Sequence, residues 1–261
     1  MTGTGNSAAS SASPGSVTAG AQATAAAPSA TAKDGDWGFD IGIYGWLPTI
    51  DGKLTHDVPG VGDQIEIDPG TLLDNLSFTA MGAFSVNRGR WSLGADLIYL
   101  KETKAESQPV EELGGLVLNA DYKLNSWIVN GALGYRVVES PKFQLRAMLG
   151  VRYFYAESTL RLQVDAPPVD ETLRSAPTVW NGFVGGRGRV ELGKHWYLPF
   201  HLDIGTGDSD VTWQGYAGIG YAFKWGGPVL GYRYLSFDQG DDDAVRRLSF
   251  GGPELGVGFR F

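Results

Sequence analysis

His201 and Asp203 are the residues whose types and spacing best suit chemistry in this sequence. They lie two positions apart in an alternating segment, so an extended strand places both side chains on one face. A carboxylate beside an imidazole can hold the ring as a general base, and Glu191 lies on the preceding predicted strand. The same residues also suit a buried network of mutually neutralising charges. We expect the network and keep catalysis by His201 and Asp203 as the alternative.

Two acidic clusters have the carboxylate oxygens that a hard cation prefers. They are Asp208 with Asp210 and the run at 241–243. Neither matches the twelve-residue pattern of a calcium-binding loop, so we predict solvated surface and no built metal site, with divalent cations as candidate partners. His56 is expected in a long solvated loop and His195 in a solvated turn.

The composition excludes several classes of protein. Cysteine is absent from the 261 residues, which removes disulfide frameworks, thiolate metal sites and cysteine nucleophiles. The net charge of −8 has the wrong sign for a nucleic-acid-binding protein. The 38 glycines and an aromatic fraction of 12% favour a turn-rich β-architecture. No cofactor is predicted.

Residues 1–35 differ in composition from the rest of the chain. They consist mainly of Ala, Ser, Thr and Gly and lack the large apolar side chains that a packed structure needs. We predict a disordered low-complexity tail at 1–35 and a single domain at 36–261.

An alternation of period two dominates this domain. Between Phe143 and Tyr155 every odd position is apolar or aromatic, whereas the even positions include Gln144, Arg146 and Arg152. The sequence therefore predicts an all-β fold, a single closed antiparallel transmembrane β-barrel of about ten strands, with eight and twelve as alternative counts. The ten alternating runs lie at 37–48, 76–88, 90–101, 116–138, 143–164, 178–192, 195–205, 210–225, 228–238 and 248–261.

The run at 116–138 changes phase within itself. Its apolar residues occupy even positions up to Leu124 and odd positions from Trp127 onward. Because one extra residue in a strand reverses the alternation, we predict a β-bulge near Asn125–Ser126.

The connections between runs alternate in length. Short turns lie at 87–89, 139–142, 193–194 and 225–227. The intervening links at 49–75, 102–115, 165–177 and 239–247 are longer and acidic. Short turns at one end and long loops at the other are typical of an outer-membrane barrel.

Alternation alone does not say which face points outward. A soluble lipocalin-like ligand-binding barrel would turn its apolar face inward, and a membrane barrel would turn it outward. Runs of bilayer-crossing length, aromatic residues near run ends and the directional loops favour the membrane barrel. The soluble barrel remains an alternative.

The last eight residues, Glu254-Leu-Gly-Val-Gly-Phe-Arg-Phe261, carry a specific pattern: polar, any, Gly, two of any, aromatic, any, aromatic. This pattern resembles the terminal signature of Gram-negative outer-membrane proteins. Phrases at 196–199, 205–210 and 230–235 also resemble a group of small, largely uncharacterised outer-membrane β-barrel proteins. The resemblance implies an integral outer-membrane location and the barrel-assembly machinery as a partner, with Glu254, Gly256, Phe259 and Phe261 as the assembly signal.

An outward apolar face leaves charged residues to line the lumen. Eight cationic and five anionic side chains are then expected inside, so any ion leak would favour anions. Ten strands leave little space beyond the side chains themselves. The residues predicted to line the lumen are Asp40, Asp96, Arg146, Arg152, Arg187, Arg189, Asp203 and Arg233.

These observations predict a porin-like membrane protein of the Gram-negative envelope. Its role is expected to be a structural envelope component or a narrow passive pore with a charged lumen. The alternative is an outer-membrane hydrolase that uses His201 and Asp203. Outer-membrane lipids and lipopolysaccharide are the expected surroundings, and nucleic acid is excluded as a partner.

Overall fold

The computed structural model describes residues 36–58, 62–67, 76–110, 116–165, 168–240 and 245–261. Over these ranges the chain forms thirteen β-strands and no helix. Accordingly, the described segments include no helix of the length and apolar character needed to span a membrane. The predicted tail at 1–35 lies outside these residues.

Ten strands form a closed antiparallel ring. The ring closes because the first strand pairs with both the fourth and the last. Each of the ten overlaps one of the predicted runs, which confirms the predicted fold, although the strand predicted at 90–101 continues to Val110, into the link predicted at 102–115. The wall consists of β1 (Trp37–Trp46), β4 (Leu76–Arg88), β5 (Trp91–Val110), β6 (Leu116–Glu139), β7 (Phe143–Asp165), β9 (Thr178–Glu191), β10 (Trp196–Gly207), β11 (Val211–Tyr221), β12 (Gly226–Asp238) and β13 (Val245–Arg260).

Three further strands lie outside the ring, in segments predicted as loops. They are β2 (Thr49–Val58), β3 (Gly62–Ile67) and β8 (Pro168–Ser175). β2 pairs with the start of β13, and β8 pairs with the end of β7 beyond the reach of β9. The prediction of a loop around His56 was therefore wrong, since His56 belongs to β2. Wall strands longer than a bilayer crossing leave backbone N–H and C=O groups without a partner at their ends. β2 and β8 pair with such groups of β13 and β7.

The two ends of the barrel differ in their connections. β4 and β5 are joined by a tight turn in which Gly89 adopts a φ of 56°, a conformation that glycine tolerates well. The links after β6, β9 and β11 are also short. We call this the turn end, and we call the opposite end, which carries β2, β3 and β8, the loop end.

The side chains of the wall alternate between a buried inner face and an exposed outer face. β1 follows a strict exposed–buried pattern, in which Ile43 is 63% exposed and Asp40 is fully buried. The outer face is apolar, and most of the inner face is polar. A soluble barrel needs the opposite facing, so the structure does not support the lipocalin-like alternative.

The predicted bulge near Asn125–Ser126 was wrong. β6 keeps one register with β5 from Val110↔Leu116 to Trp91↔Tyr135. The apolar pattern changes near Leu124 because β4 ends at that level, where Leu76 pairs with Glu102 and Glu102 with Leu124. Beyond it the strands leave the closed ring, and the rule that apolar residues face outward no longer applies. The register shift of β6 lies at 136–138, near the turn end.

An apolar layer fills the loop end of the interior, which the polar lumen predicted from sequence did not include. Phe154, Phe237 and Phe250 form its centre, with ring centroids 5.2 to 6.5 Å apart. Side chains from eight wall strands contribute to the layer. Its buried members are Tyr44, Trp46, Met81, Ile98, Ile128, Phe154, Val179, Leu235, Phe237 and Phe250.

Glycines on the inner face make room for the large side chains that cross the lumen. A Cβ atom at Gly220 would collide with the buried ring of Tyr197, and one at Gly231 with the ring of Tyr216. The glycine-rich strands therefore allow aromatic rings and guanidinium groups to share an interior bounded by only ten strands.

Gly150 and Gly131 provide a matched test of this close packing. A Cβ at Gly150 would meet the Gly131 carbonyl oxygen and the Phe183 ring, whereas the nearest atom to a Cβ at Gly131 lies 3.9 Å away. We expect Gly150→Ala to reduce the free energy of unfolding by about 1–3 kcal/mol, as overpacking does. Thermal unfolding in detergent measures the effect. Equal midpoints for Gly150→Ala and Gly131→Ala would contradict it.

Candidate functional site inside the barrel

The structure brings the predicted lumen residues together in one charged layer below the apolar layer. Arg146, Arg152 and Arg233 are fully buried, and the others are at most 7% exposed. Lys224, another of the eight cations expected inside from its position in the alternation, is instead exposed in a turn. The eight residues placed on the inner face are Asp40, Asp96, Arg146, Arg152, Arg187, Arg189, Asp203 and Arg233.

Arg152 and Asp203 form the centre of one half of this layer. Nη2 of Arg152 donates to both carboxylate oxygens of Asp203, at 2.8 and 2.9 Å. Nε donates to Asn130 at 2.8 Å, and Nη1 donates to the Thr212 hydroxyl at 3.0 Å. The pair thus joins four wall strands, β6, β7, β10 and β11, across the lumen.

Arg233 organises the other half. Its guanidinium donates to Asp96 at 2.9 Å, to the Tyr44 hydroxyl at 3.1 Å and to Gln214 at 3.0 Å. Glu254 lies 3.7 Å from Nη1. Tyr44 and Gln214 are uncharged and were not among the residues predicted to line the lumen. Their inward positions in alternating strands were the available signal.

Asp40 anchors the layer near the turn end. It accepts hydrogen bonds from Asn87 at 2.8 Å and Ser85 at 3.2 Å, and its other oxygen receives Nε of Arg260 at 3.1 Å. Because Arg260 belongs to the last strand and Asp40 to the first, this contact crosses the seam where the barrel closes.

His201 and Asp203 lie together as their spacing predicts, with Nε2 of His201 2.5 Å from Asp203 Oδ2. Asp203 also binds Arg152, and the buried Nδ1 of His201 has no hydrogen-bond partner. In the described part of the chain, no hydroxyl group that could act as a nucleophile is hydrogen-bonded to this imidazole. Glu191 instead pairs with Arg189. The arrangement suits a structural network better than hydrolysis.

Of the two acidic clusters that could bind a cation, the structure describes Asp208 and Asp210. Among the residues with described positions, no group of three or more His, Asp or Glu side chains is placed to hold a metal ion. Asp208 accepts the backbone N–H of Trp180 at 2.8 Å, which ties its loop to β9. The acidic run at 241–243 lies outside the described residues.

In contrast to the interior pairs, an exposed ion pair lies at the loop end of the barrel. Arg247 donates to Asp238 at 2.9 Å, and this hydrogen bond lowers the pKa of Asp238 below its usual value. The side chains of Arg247 and Asp238 are 54% and 30% exposed. This pair has the chemistry of the interior pairs without their burial.

The proposed assembly residues occupy the strand that closes the ring. Glu254 is buried inside, and Gly256 pairs with Tyr44 across the seam. Phe259 packs on Trp225 with 5.6 Å between ring centroids, and Phe261 is 73% exposed.

The interior has little free space. A cavity of about 30 Å³ lies in the charged layer, bordered by Asp96, Arg152, Arg187, His201 and Asp203. That volume holds one or two water molecules. Beneath it, near the turn end, Tyr197, Tyr216, Ala222 and Val229 form a second apolar cluster.

Comparisons with known proteins identify no sequence family. No family model and no curated protein matches the chain. Among solved structures, it is similar to the outer membrane protease OmpT from Escherichia coli, with 10% identity over 88% of this chain and 99% of that chain and a TM-score of 0.46. The translocator domain of the autotransporter NalP from Neisseria meningitidis has 15% identity over 86% and 88% and a TM-score of 0.40. Ail, the attachment invasion locus protein of Yersinia pestis, has 11% identity over 88% and 100% and a TM-score of 0.36. Such similarities carry no information about activity.

The buried pair Arg152–Asp203 and the exposed pair Arg247–Asp238 give a matched test of the charged layer. Removing one member of a buried pair leaves an uncompensated charge, so Arg152→Met should lower the free energy of unfolding by about 3–5 kcal/mol. Arg247→Met should change it by at most about 1 kcal/mol. Double-mutant cycles with Asp203→Asn and Asp238→Asn, measured by thermal unfolding in detergent, check both. Equal coupling energies in the two cycles would refute the proposed importance of burial.

Proposed function

We propose that the chain is an integral outer-membrane barrel whose interior is closed, and that it serves as a structural component of the envelope. The observation that carries this proposal is the combination of an apolar outer face with a lumen filled by paired charges and an apolar layer. The proposal chooses the structural role over the narrow pore.

The outer face supports a membrane location because its aromatic residues form two girdles. At the turn end, Trp91 packs on Tyr135, and at the loop end Tyr99 packs on Trp127, with ring centroids 4.8 and 4.3 Å apart. Trp91 and Tyr99 are eight residues apart, which is about 26 Å along a strand and about 20 Å after the usual tilt. This height is close to the apolar band of outer-membrane barrels, about 25 Å.

The interior supports the closed state in two ways. Charge-assisted hydrogen bonds link Arg152 and Arg233 each to three other wall strands, so neither side chain can swing aside without breaking several contacts. The layer around Phe237 then covers the charges at the loop end. An ion would have to displace both layers to cross.

The hydrolase alternative has less support. His201 and Asp203 are at most 6% exposed and lie beneath the apolar layer. A lipid or peptide substrate would have to pass this apolar layer to reach the imidazole from the loop end.

We expect the purified protein to show no steady ion conductance in planar bilayers, because the paired charges and the apolar layer fill the lumen. A general porin added afterwards to the same membrane is the control that currents are detectable. Insertion is checked independently by a heat-dependent shift in gel mobility. Resolved steps from the inserted protein would contradict the closed barrel and favour the narrow pore.

The last strand gives a prediction about location and assembly. We expect Phe261→Ser to reduce the amount of protein recovered in the outer-membrane fraction of Gram-negative cells, since we propose that the assembly machinery reads this aromatic end. Trp196→Ser is the control, because Trp196 is an exposed outer-face aromatic near the same end of the barrel but on another strand. Density-gradient fractionation with equal total synthesis measures the effect, and equal losses in both variants would refute a specific role for Phe261.

A further inference from the structure

We propose that the charged layer contains a binding site for one small inorganic anion of chloride size, with Arg187 as its main ligand and Arg146 as its neighbouring charge. The proposal concerns the barrel interior and does not depend on the conductance or location of the protein.

The buried arginines of the interior differ in whether they have a carboxylate partner. Six arginines are buried in the part of the chain that the structure describes. Four of them have a carboxylate partner: Arg136 with Glu139, Arg152 with Asp203, Arg189 with Glu191, and Arg233 with Asp96. The partly buried Arg260 pairs with Asp40. Arg146 and Arg187 have no carboxylate partner among these residues.

Arg146 and Arg187 are direct neighbours on adjacent strands. Arg146 on β7 lies opposite Arg187 on β9, and Arg187 lies opposite His201 on β10. Like charges in directly opposite positions of a sheet repel one another. The register therefore concentrates positive charge on one side of the lumen, a feature that the sequence does not reveal without the strand pairing.

Hydrogen-bond donors of both guanidinium groups lack a partner. Arg146 makes one hydrogen bond, to Asn87 at 2.9 Å, and its Nε and Nη2 are buried without a partner. Arg187 has no hydrogen bond or ion pair to any residue in the described segments, and its Nε is buried. Burying an unpaired charge is costly, and a guanidinium cannot lose its proton to avoid the cost. Asp40 and Asp96 act on Arg187 only at longer range and are paired directly with Arg260 and Arg233. A bound anion would supply the direct partner that Arg187 lacks.

A small cavity lies beside Arg187. The cavity of about 30 Å³ is bordered by Arg187 and His201 and is kept open by small residues, Ala83, Gly94 and Ala132. A Cβ atom at Gly94 would lie 3.6 Å from Nη2 of Arg187, so the absent side chain leaves room in front of the guanidinium. Asp96 and Asp203 also border the cavity, but each is bound by its own arginine.

The size of the cavity selects the class of ligand. A space for one or two water molecules accommodates a halide ion better than a lipid headgroup, a nucleotide or an organic acid. A halide also needs no fixed hydrogen-bond geometry, so one guanidinium donor set with a second cation nearby is sufficient.

The direct test is a crystal structure of protein refolded and crystallised in sodium bromide. We expect an anomalous bromide peak within hydrogen-bonding distance of the Arg187 guanidinium. Water alone at this position, or bromide only at exposed surface residues, would overturn the proposal.

A stability test uses the same full chain in detergent. After refolding at equal ionic strength, we expect a higher unfolding midpoint in sodium chloride than in sodium gluconate, because gluconate is too large for the cavity. Arg187→Gln should lose this difference and should exceed the wild type in gluconate, since it removes the uncompensated charge. Arg247→Gln, at an exposed site, should keep the wild-type difference. Identical wild-type midpoints in the two salts would overturn the proposal, and this comparison needs no variant to fold.

Discussion

The alternation of side chains along each strand constrains every other feature of this barrel. A ring of ten strands has one face outside and one face inside, and successive residues must take opposite faces. With Ile43 and its apolar neighbours outside, groups such as Asp40 are placed inside, away from bulk solvent. The interior must then satisfy its own charges and hydrogen-bonding groups, because an unpaired buried polar group destabilises the fold.

The interior meets this demand by using its limited space in layers. Glycines such as Gly220 allow rings to cross the lumen, and Arg152 and Arg233 bond to several wall strands each. The apolar layer around Phe237 covers the charges at the loop end. The same packing that stabilises the barrel closes it, so a structural role and a sealed lumen follow from one arrangement. Arg146 and Arg187, the two buried arginines of the described residues that lack a carboxylate partner, are places where this arrangement is incomplete.

Much of this could be predicted from the sequence, because strand periodicity is a local property. The ten runs depend on residues two positions apart, and run length, aromatic run ends and loop lengths then indicated the facing that placed Arg152 and Asp203 on the inner face. Pairing is not local: that Arg187 lies opposite Arg146, or that Tyr44 reaches Arg233, depends on register between strands far apart in sequence. The wrongly predicted bulge has the same origin, since the phase change at Leu124 reflects where the neighbouring β4 ends.

The facing of the tryptophans tests the account most directly. Trp46 lies inside and is 2% exposed, whereas Trp213 lies on the outer face and is 39% exposed. Two variants that each retain only one of these tryptophans can be reconstituted in bilayers with brominated acyl chains, and their fluorescence can be measured. The account predicts strong quenching of Trp213 and little quenching of Trp46. Quenching of Trp46 with a protected Trp213 would show that the apolar face lies inside and would contradict the account.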